Sequence, residues 1–253
     1  MTPLCWTSKK GMVMLQKQPT GFYQSTLLQG VPSLLHAFSG RAMGDMKKDL
    51  SARKRFFNTA GIDGDVTVSE QIHGAVVTFI DGKKESPVAG SDGLVTRDVG
   101  ISLGIFTADC VPILAVDPAV RVVAAVHAGW RGTLGKIAQH TIESMKSAGA
   151  RVPDILIWIG PHIGMCCYLV DQDRAKLFVD GFGDDPKMAS FFENSWHLDL
   201  GYINYRQFIE SGIKPENIDV ALTCTSCRHD EFFSYRKNSK ETFGEMMGVI
   251  GFT

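Results

Sequence analysis

The chain has 253 residues, which is enough to bury a sizeable core as one large domain or as two small ones. Its hydrophobic fraction of 44% and charged fraction of 21% are typical of an ordinary globular protein. The net charge of −1 gives no electrostatic reason to expect a nucleic acid or an anionic membrane as partner. The first residues contain no apolar run of signal-peptide length, and no stretch resembles a membrane span, so we expect a cytoplasmic protein.

The first half of the chain alternates between strand-like and helical patterns. We predict an early strand over Phe22–Leu28, a helix over Lys47–Ala60 ended by Gly61, strands over Val66–Ile72 and Ala75–Ile80, an extended Gly93–Thr96 and a strand over Ile101–Phe106. Leu50, Phe56 and Phe57 are the expected core residues of the helix. The strand over Val66–Ile72 delivers His73 and Gly74 at its end.

Two apolar runs at the centre of the chain flank a turn at Asp117-Pro118. Val111–Val116 and Val120–Val126 are rich in β-branched residues and alanine, which predicts two buried strands of a hairpin. Cys110 precedes the first strand and His127 ends the second. Because those ends lie side by side in an antiparallel pair, a thiol and an imidazole should meet at one end of the sheet.

The second half of the chain is predicted to contain more helix than the first half. Apolar residues recur at helical spacing in one amphipathic segment, namely Leu134, Ile137, Ala138, Thr141, Ile142 and Met145. Further elements are expected at Ile155–Ile159 (strand), Asp173–Val179 and Tyr202–Ser211 (helices) and Ile218–Leu222 (strand). Strands and helices alternate, but turn-linked strand pairs also occur, so we predict an α/β protein with a mixed-sheet α+β arrangement in one domain over residues 1–253.

Three residues at predicted strand ends could act together: His73, Cys110 and His127. One thiolate and two imidazoles match a catalytic zinc site with an open position, and copper accepts the same set. Alternatively, Cys110 is a nucleophile with His127 as its base. Asp109 could then orient a histidine or simply form part of the turn. The residues alone leave both chemistries open.

The remaining cysteines and selected arginines complete the candidate set. The chain has six cysteines, and without a secretion signal this number predicts reduced thiols: Cys5, Cys110, Cys166, Cys167, Cys224 and Cys227. The single Cys-x-x-Cys pair at Cys224 and Cys227 is interpreted as inert, with a redox or structural-zinc role as the alternative. Arg41, Arg131 and Arg236 lie in predicted loops and suit phosphate or carboxylate recognition.

Five sets of short segments in this chain together resemble the motifs of one protein family. The segments are Gln71-Ile-His73-Gly74, Thr107-Ala-Asp109-Cys110-Val-Pro112, His127-Ala-Gly129-Trp130-Arg131-Gly132, Gly160-Pro-His-Ile163 with Cys167-Tyr168, and Cys224-Thr225 with Phe233-Ser234-Tyr235-Arg236. The family is that of laccase-domain, or multicopper-polyphenol-oxidase-like, proteins, also described as purine nucleoside phosphorylases. The resemblance covers nearly the whole chain from about Leu35 onward.

The resemblance implies a layered sandwich enzyme similar to the catalytic domain of cytotoxic necrotising factor. It implies phosphorolysis of adenosine, inosine and methylthioadenosine, deamination of adenosine, and a metal held by His73, Cys110 and His127. The expected cofactor is zinc, with copper possible. The expected partners are purine nucleosides and phosphate, and a monomer is favoured.

The chain departs from the family pattern at three places. Leu169 stands where the family often has Glu, Glu245 stands where it usually has Arg, and Met43-Gly44 stands where it has Gly-Gly after the early Arg. These changes leave the metal set intact but affect expected substrate contacts. The alternatives are a cysteine amidase that edits peptidoglycan precursors, a copper phenol oxidase and a non-enzymatic binding module. The oxidase is disfavoured because four coppers need more histidines than the seven present can arrange.

Overall fold

The structure is a computed structural model that describes residues 15–64, 66–82, 85–238 and 241–253, so Cys5 lies outside the described residues. The strands are β1 Gln16–Lys17, β2 Tyr23–Gln24, β3 Leu34–Phe38, β4 Val66–Val68, β5 Val77–Ile80, β6 Gly93–Thr96, β7 Ser102–Thr107, β8 Val111–Asp117, β9 Val122–Ala128, β10 Leu156–Ile159, β11 Leu169–Val170, β12 Ala189–Phe192, β13 Ser195–Leu198, β14 Ile218–Val220 and β15 Met246–Phe252. The α-helices are α1 Thr26–Gln29, α2 Leu50–Ala60, α3 Trp130–Leu134, α4 Ile137–Ser147, α5 Gln172–Phe182 and α6 Leu200–Glu210. Within these described ranges, no helix has the length and apolar composition needed to cross a bilayer.

The strands form two six-stranded sheets and one small sheet. The first sheet has the order β1-β2-β3-β15-β7-β4, the second has the order β14-β10-β8-β9-β6-β5, and the small sheet is β11-β13-β12. Both large sheets mix strand directions, because β4 pairs with β7, β5 with β6 and β10 with β14 in parallel, whereas their other pairs are antiparallel. The predicted mixed-sheet α/β fold is therefore confirmed.

Side-chain alternation along the strands places the two large sheets face to face. Ile105 and Ile250 pack in the core between the sheets, whereas their neighbours Phe106 and Val249 pack with Phe56 of α2 on the outer face of the first sheet. The outer face of the second sheet packs against α4, α5 and α6. Successive side chains of a strand point to opposite faces, so one strand contributes to two cores. The result is a layered arrangement of helix, sheet, sheet and helices.

The central hairpin forms as predicted and lies in the middle of the second sheet. β8 and β9 pair antiparallel, with Val116 opposite Val123 and Pro112 opposite His127. All residues of both strands are buried. A strand that is covered on both faces needs apolar residues at every position, which explains the uninterrupted apolar runs. β7 does not join this hairpin but belongs to the first sheet, so the chain crosses between sheets just before Cys110.

Several expected element boundaries are wrong for local reasons. The early strand is only Tyr23–Gln24, because the Ser25 side chain accepts from the Leu28 amide and starts α1. Leu50 is 71% exposed at the start of α2 rather than in the core. The strand expected over Val66–Ile72 ends at Val68. The first error arises at a helix cap and the second at the first residue of a helix.

The amphipathic segment forms two helices instead of one. α3 ends at Leu134, and Lys136 adopts a left-handed conformation, with φ of 62°, before α4 starts. Ala138, Ile142 and Met145 are buried against the second sheet, whereas Lys136 and Glu143 are exposed, as the helical spacing predicts.

We expect replacement of Ile142 by Ala to destabilise the protein by roughly 2–5 kcal/mol, because the buried side chain leaves a cavity between α4 and the sheet. The metal content of the folded fraction should stay unchanged. Urea unfolding and metal analysis of the variant measure both effects, with Glu143→Ala on the exposed face of α4 as the control. Loss of metal at unchanged stability would contradict this prediction.

We also expect His36 to make the fold sensitive to acid. Burial lowers the pKa of His36 to about 4, with a smaller opposing effect from its hydrogen bond to the Ser25 backbone. Below the ordinary histidine pKa of about 6.5, the unfolded chain takes up a proton that the folded chain excludes, so stability falls as the pH falls towards about 4. The His36 contribution to this fall should be about 2 kcal/mol between pH 6.5 and pH 4.5. Urea unfolding of His36→Gln should show a free energy of unfolding that depends correspondingly less on pH. The same pH dependence in the variant and the wild type would contradict this prediction.

Candidate functional site

The segment that links β7 to β8 positions Cys110 where the chain crosses between the sheets. Asp109 adopts a positive φ of 87°, which is uncommon for a residue with a side chain. Its buried carboxylate accepts hydrogen bonds from the Thr225 hydroxyl at 2.6 Å, the Ser234 hydroxyl at 3.0 Å and the Arg236 amide at 2.7 Å. Asp109 therefore anchors the 225–236 segment beside Cys110, and its hydrogen bonds involve no histidine.

The loop that carries His73 is fixed to β7 by a side chain. The Gln71 amide donates to the Phe106 carbonyl and accepts from the Phe106 N–H, both at 2.7 Å. Gln71 and His73 both have a φ of 61°. Gly132 of α3 packs on this loop, because a Cβ at that position would lie 2.5 Å from the Gly74 carbonyl oxygen. These contacts turn the His73 side chain towards the end of the hairpin.

His73, Cys110 and His127 come together at this end of the second sheet. Each offers a ligand atom, and the three atoms all lie within 4.8 Å of one another. The two imidazole rings are 4.8 Å apart between centroids and meet edge to face at 86°. Gly129 leaves the space for this approach, because a Cβ there would lie 3.3 Å from Cys110 Sγ and 3.2 Å from His73 Cδ2. The convergence expected from the strand ends is observed.

Asp92 supports this group and was missed by the sequence analysis. It lies just before β6 and is fully buried. Its carboxylate accepts from His127 Nδ1 at 2.9 Å, from the His73 amide at 2.9 Å and from the Gly74 amide at 2.7 Å. A carboxylate can only accept here, so His127 Nδ1 carries the proton and Nε2 is left free to bind a metal or a proton.

The electrostatics of the group favour a thiolate. Burial raises the pKa of Cys110, but the charge and hydrogen bonds of His127 and His73 outweigh it and bring the pKa down to about 7. Burial lowers the pKa of His127, yet the Cys110 and Asp92 charges raise it to about 9. Burial also raises the pKa of Asp92, but hydrogen bonds from His127 and the Gly74 and His73 amides lower it overall. A thiolate is the form that binds metals and attacks electrophiles.

The three residues open onto a cavity of about 520 Å³, a volume in the usual range for small-molecule sites. The cavity combines basic and aromatic side chains. Its lining includes Lys47, Trp130, Arg131, Tyr168, Arg174, Tyr235, Arg236, Phe243 and Glu245. The arrangement suits a ligand that has a flat ring and an anionic group.

Two of the three predicted arginines lie at this cavity and one does not. Arg131 and Arg236 line it, and Arg174, which the sequence analysis did not select, lines it with them. Arg131 and Arg174 each place their guanidinium 4.6 Å from the Trp130 ring centroid. Arg41 lies outside the lining, where its guanidinium covers Phe233 at 4.7 Å and donates to Asn238 at 3.0 Å. A substrate contact by Arg41 stays a prediction.

The departures from the family pattern at Glu245 and Leu169 have different positions. Glu245 lines the cavity and forms an ion pair with Lys47 at 3.2 Å. Leu169 is 42% exposed and contributes its carbonyl oxygen to Arg236 at 3.0 Å. Of the two, Glu245 has the more direct access to a bound ligand.

Known proteins resemble this chain in sequence and in structure. The family model described as multicopper polyphenol oxidoreductase laccase matches residues 36–253. The chain is 34% identical over 227 residues, 82% of its length and 87% of the relative, to a protein of an unknown prokaryotic organism named adenosine deaminase RL5. It is 37% identical over 194 residues, 72% of its length and 70% of the relative, to purine nucleoside phosphorylase YlmD of Geobacillus stearothermophilus.

The fold agrees with these matches. The crystal structure of YlmD from Geobacillus stearothermophilus superposes with a TM-score of 0.84 at 27% identity, covering 95% of this chain and 99% of that chain. The Bacillus licheniformis protein YfiH superposes with a TM-score of 0.82 at 24% identity over 94% and 99% of the two chains, which supports the fold alone. The likeness to cytotoxic necrotising factor stays a prediction. The chain belongs to the family described as multicopper polyphenol oxidoreductase laccase, the family that its central motifs resemble.

Proposed function

We propose that this protein is a metal-dependent purine nucleoside phosphorylase that acts on adenosine, inosine and methylthioadenosine and also deaminates adenosine. The observation that carries the proposal is the meeting of one thiol and two imidazoles at a cavity lined by several arginines. The names of the relatives, purine nucleoside phosphorylase and adenosine deaminase, point to the same chemistry.

The donor set fits a metal ion. Cys110, His73 and His127 would hold it, since their ligand atoms are mutually close and Asp92 fixes the His127 tautomer. One thiolate and two imidazoles suit zinc and also accept copper. A zinc ion held by these residues would supply Lewis acidity to the reaction.

The arginines at the cavity would bind phosphate. Arg131 and Arg236 have no ion-pair partner within the described ranges, and Arg174 pairs with Asp171 at 3.5 Å near the protein surface. A planar guanidinium matches two phosphate oxygens at once. In phosphorolysis, a phosphate oxygen forms a bond to the anomeric carbon of the ribose while the bond to the purine nitrogen breaks. The departing purine takes up a proton.

Aromatic side chains would hold the purine. Trp130, Tyr168, Tyr235 and Phe243 line the cavity, and Tyr235 meets Phe243 edge to face with centroids 5.6 Å apart. Burial raises the pKa of Tyr168, partly offset by the charge of Arg174, so its phenol stays protonated at neutral pH and can donate a hydrogen bond. In deamination, water adds to the purine carbon that bears the amino group, and ammonia leaves from it.

Product analysis tests the proposal. The purified protein with adenosine and phosphate should release adenine and ribose 1-phosphate, and with adenosine alone it should release inosine and ammonia. A chelator should abolish both reactions, and zinc should restore them. Failure to consume any of the three nucleosides at full metal content would overturn the proposal.

A second function rests on a specific observation. Cys110, His127 and Asp92 form a nucleophile, base and orienting carboxylate in series, as in cysteine hydrolases. This arrangement would suit an amidase acting on a peptidoglycan precursor. Its sulfur would attack an amide carbon, the amine would leave with a proton from His127, and water would then release the acyl group. Amide cleavage of a muramyl peptide that persists in chelator would favour this function over phosphorolysis.

We expect Arg131→Gln to raise the KM for phosphate at least about tenfold, with a smaller effect on the KM for the nucleoside, because it removes a charged partner of the phosphate. Steady-state kinetics at varied phosphate measures the effect. Arg151→Gln is the control, since Arg151 has a 74% exposed side chain and is absent from the cavity lining. An unchanged phosphate KM in Arg131→Gln would place the phosphate elsewhere.

A further inference from the structure

Four cysteines form a second group that is separate from Cys110. The four-cysteine group consists of Cys166, Cys167, Cys224 and Cys227, and their Sγ atoms all lie within 4.8 Å of one another. Cys227 Sγ lies 3.6 Å from Cys166 Sγ and 3.4 Å from Cys167 Sγ. None of these four described residues forms a disulfide. The interpretation of inert, separate thiols does not account for this convergence.

Two turns bring the sulfur atoms together. In the first, the Cys167 and Tyr168 amides both donate to the Gly164 carbonyl, at 3.0 and 3.1 Å, so the chain reverses and adjacent cysteines need not face opposite sides. In the second, the Arg228 amide donates to the Cys224 carbonyl at 3.0 Å, and the turn returns Cys227 towards Cys224. A parallel bridge between His162 and Cys224 joins the two segments.

We propose that the four-cysteine group binds one structural zinc ion through four thiolates. Zinc in such sites is tetrahedral with Zn–S distances of about 2.3 Å, which places the sulfurs about 3.8 Å from one another. The distances of 3.4 and 3.6 Å at Cys227 are close to this edge length. A disulfide requires two sulfur atoms about 2.05 Å apart. It would use only two of the four thiols, so it would not explain why all four converge.

The surroundings of the group suit a thiolate site. Gly164 packs on the group, since a Cβ there would lie 3.5 Å from Cys166 Sγ. Cys224 and Cys227 have the Cys-x-x-Cys spacing that is usual in structural zinc sites. Four soft sulfur ligands select zinc over magnesium or calcium.

A zinc ion at this position would hold two segments of the cavity together. Tyr168, next to Cys167, lines the cavity. Thr225, next to Cys224, donates to Asp109 at 2.6 Å, and Asp109 also accepts from the Arg236 amide. The site is therefore structural: it fixes the positions of Tyr168 and Arg236 and contributes no ligand to the Cys110 group.

Zinc counting in a variant that lacks the first ligand set tests the proposal. Cys110→Ser/His73→Ala removes two of the three groups there and leaves the four-cysteine group intact. Elemental analysis of protein purified under reducing conditions should find two zinc ions per chain in the wild type and one in this double variant. X-ray absorption at the zinc edge of the double variant should show four sulfurs at about 2.3 Å.

Two further substitutions locate the ion. Adding Cys227→Ser should remove the remaining zinc, whereas adding His229→Ser, another possible ligand in the same turn, should retain it. If the Cys227→Ser protein does not fold, the absorption spectrum of the double variant decides alone. A double variant with no zinc, or with nitrogen and oxygen ligands, overturns the proposal, as does a disulfide within the group. A single zinc in the wild type that is lost with Cys110 overturns it while leaving the proposed function standing.

Discussion

Replacement of Cys110 by Ser is expected to remove the metal from the His73–Cys110–His127 group and to lower kcat/KM for phosphorolysis at least about 100-fold. A hydroxyl is a poor ligand where a thiolate binds zinc or copper, and even the loss of a partner that only orients a ligand costs about 10- to 100-fold. The fold should persist, since the change is nearly isosteric. Metal analysis and steady-state kinetics on the same preparation measure both effects.

The response to chelators and to alkylating reagents distinguishes a metal-binding Cys110 from a nucleophilic Cys110. If the thiolate is a ligand, chelation should abolish activity first and make the sulfur available for alkylation afterwards. If it is a nucleophile, it should be alkylated directly, and Cys110→Ser should keep its metal while losing activity. We expect the first pattern, because both His73 and His127 lie at the sulfur and a nucleophile needs only one base. Full phosphorolysis by metal-free wild-type protein would contradict it.

Replacement of Asp92 by Asn is expected to weaken metal binding by about 10- to 100-fold and to destabilise the fold by roughly 3–5 kcal/mol. The carboxylate accepts from His127, the His73 amide and the Gly74 amide in a fully buried position, and an amide at that position can accept through one oxygen only. The buried His127 then loses its charged partner. Competition with a metal-binding dye and urea unfolding measure the two effects.

Asp180→Asn provides the comparison for Asp92. Asp180 is an exposed aspartate that pairs with Lys176 on α5, so its replacement should change neither metal affinity nor stability by more than a few tenths of a kcal/mol. Native metal affinity in Asp92→Asn would show that His127 is oriented by something other than this carboxylate. If Asp92→Asn loses stability but binds the metal as tightly as the wild type, Asp92 serves the fold alone.

The sequence predicted the central hairpin and its consequence for Cys110 and His127. The signal was strong because β8 and β9 are covered on both faces, and burial on both faces demands an apolar residue at every position. Antiparallel pairing places the start of β8 beside the end of β9, so the proximity of Cys110 and His127 follows from the hairpin alone. The helical spacing of Ala138, Ile142 and Met145 was equally reliable, because one face of α4 packs on the same sheet.

Contacts between residues far apart in the chain decided several features that the local sequence pattern could not predict. β7 precedes β8 in the chain but pairs with β15 and β4 in the other sheet, so the crossover at Asp109 was invisible from the sequence. Asp92 lies in no motif that the sequence analysis selected, and it contacts His127, which is 35 residues further along the chain. The loop position of Arg41 suits phosphate recognition, and only the tertiary structure shows that its guanidinium lies against Phe233 and Asn238.

The sequence by itself determined which residues are candidates for the chemistry: a thiol and two imidazoles, in motifs that identify the family. Tertiary structure alone decided which other groups serve them. A strand's position and its burial follow from neighbouring side chains, so they can be inferred from local periodicity. The partners of Asp92 and the assembly of the four-cysteine group depend on segments that lie far apart in the chain, such as Cys166 and Cys227, and only packing brings these together.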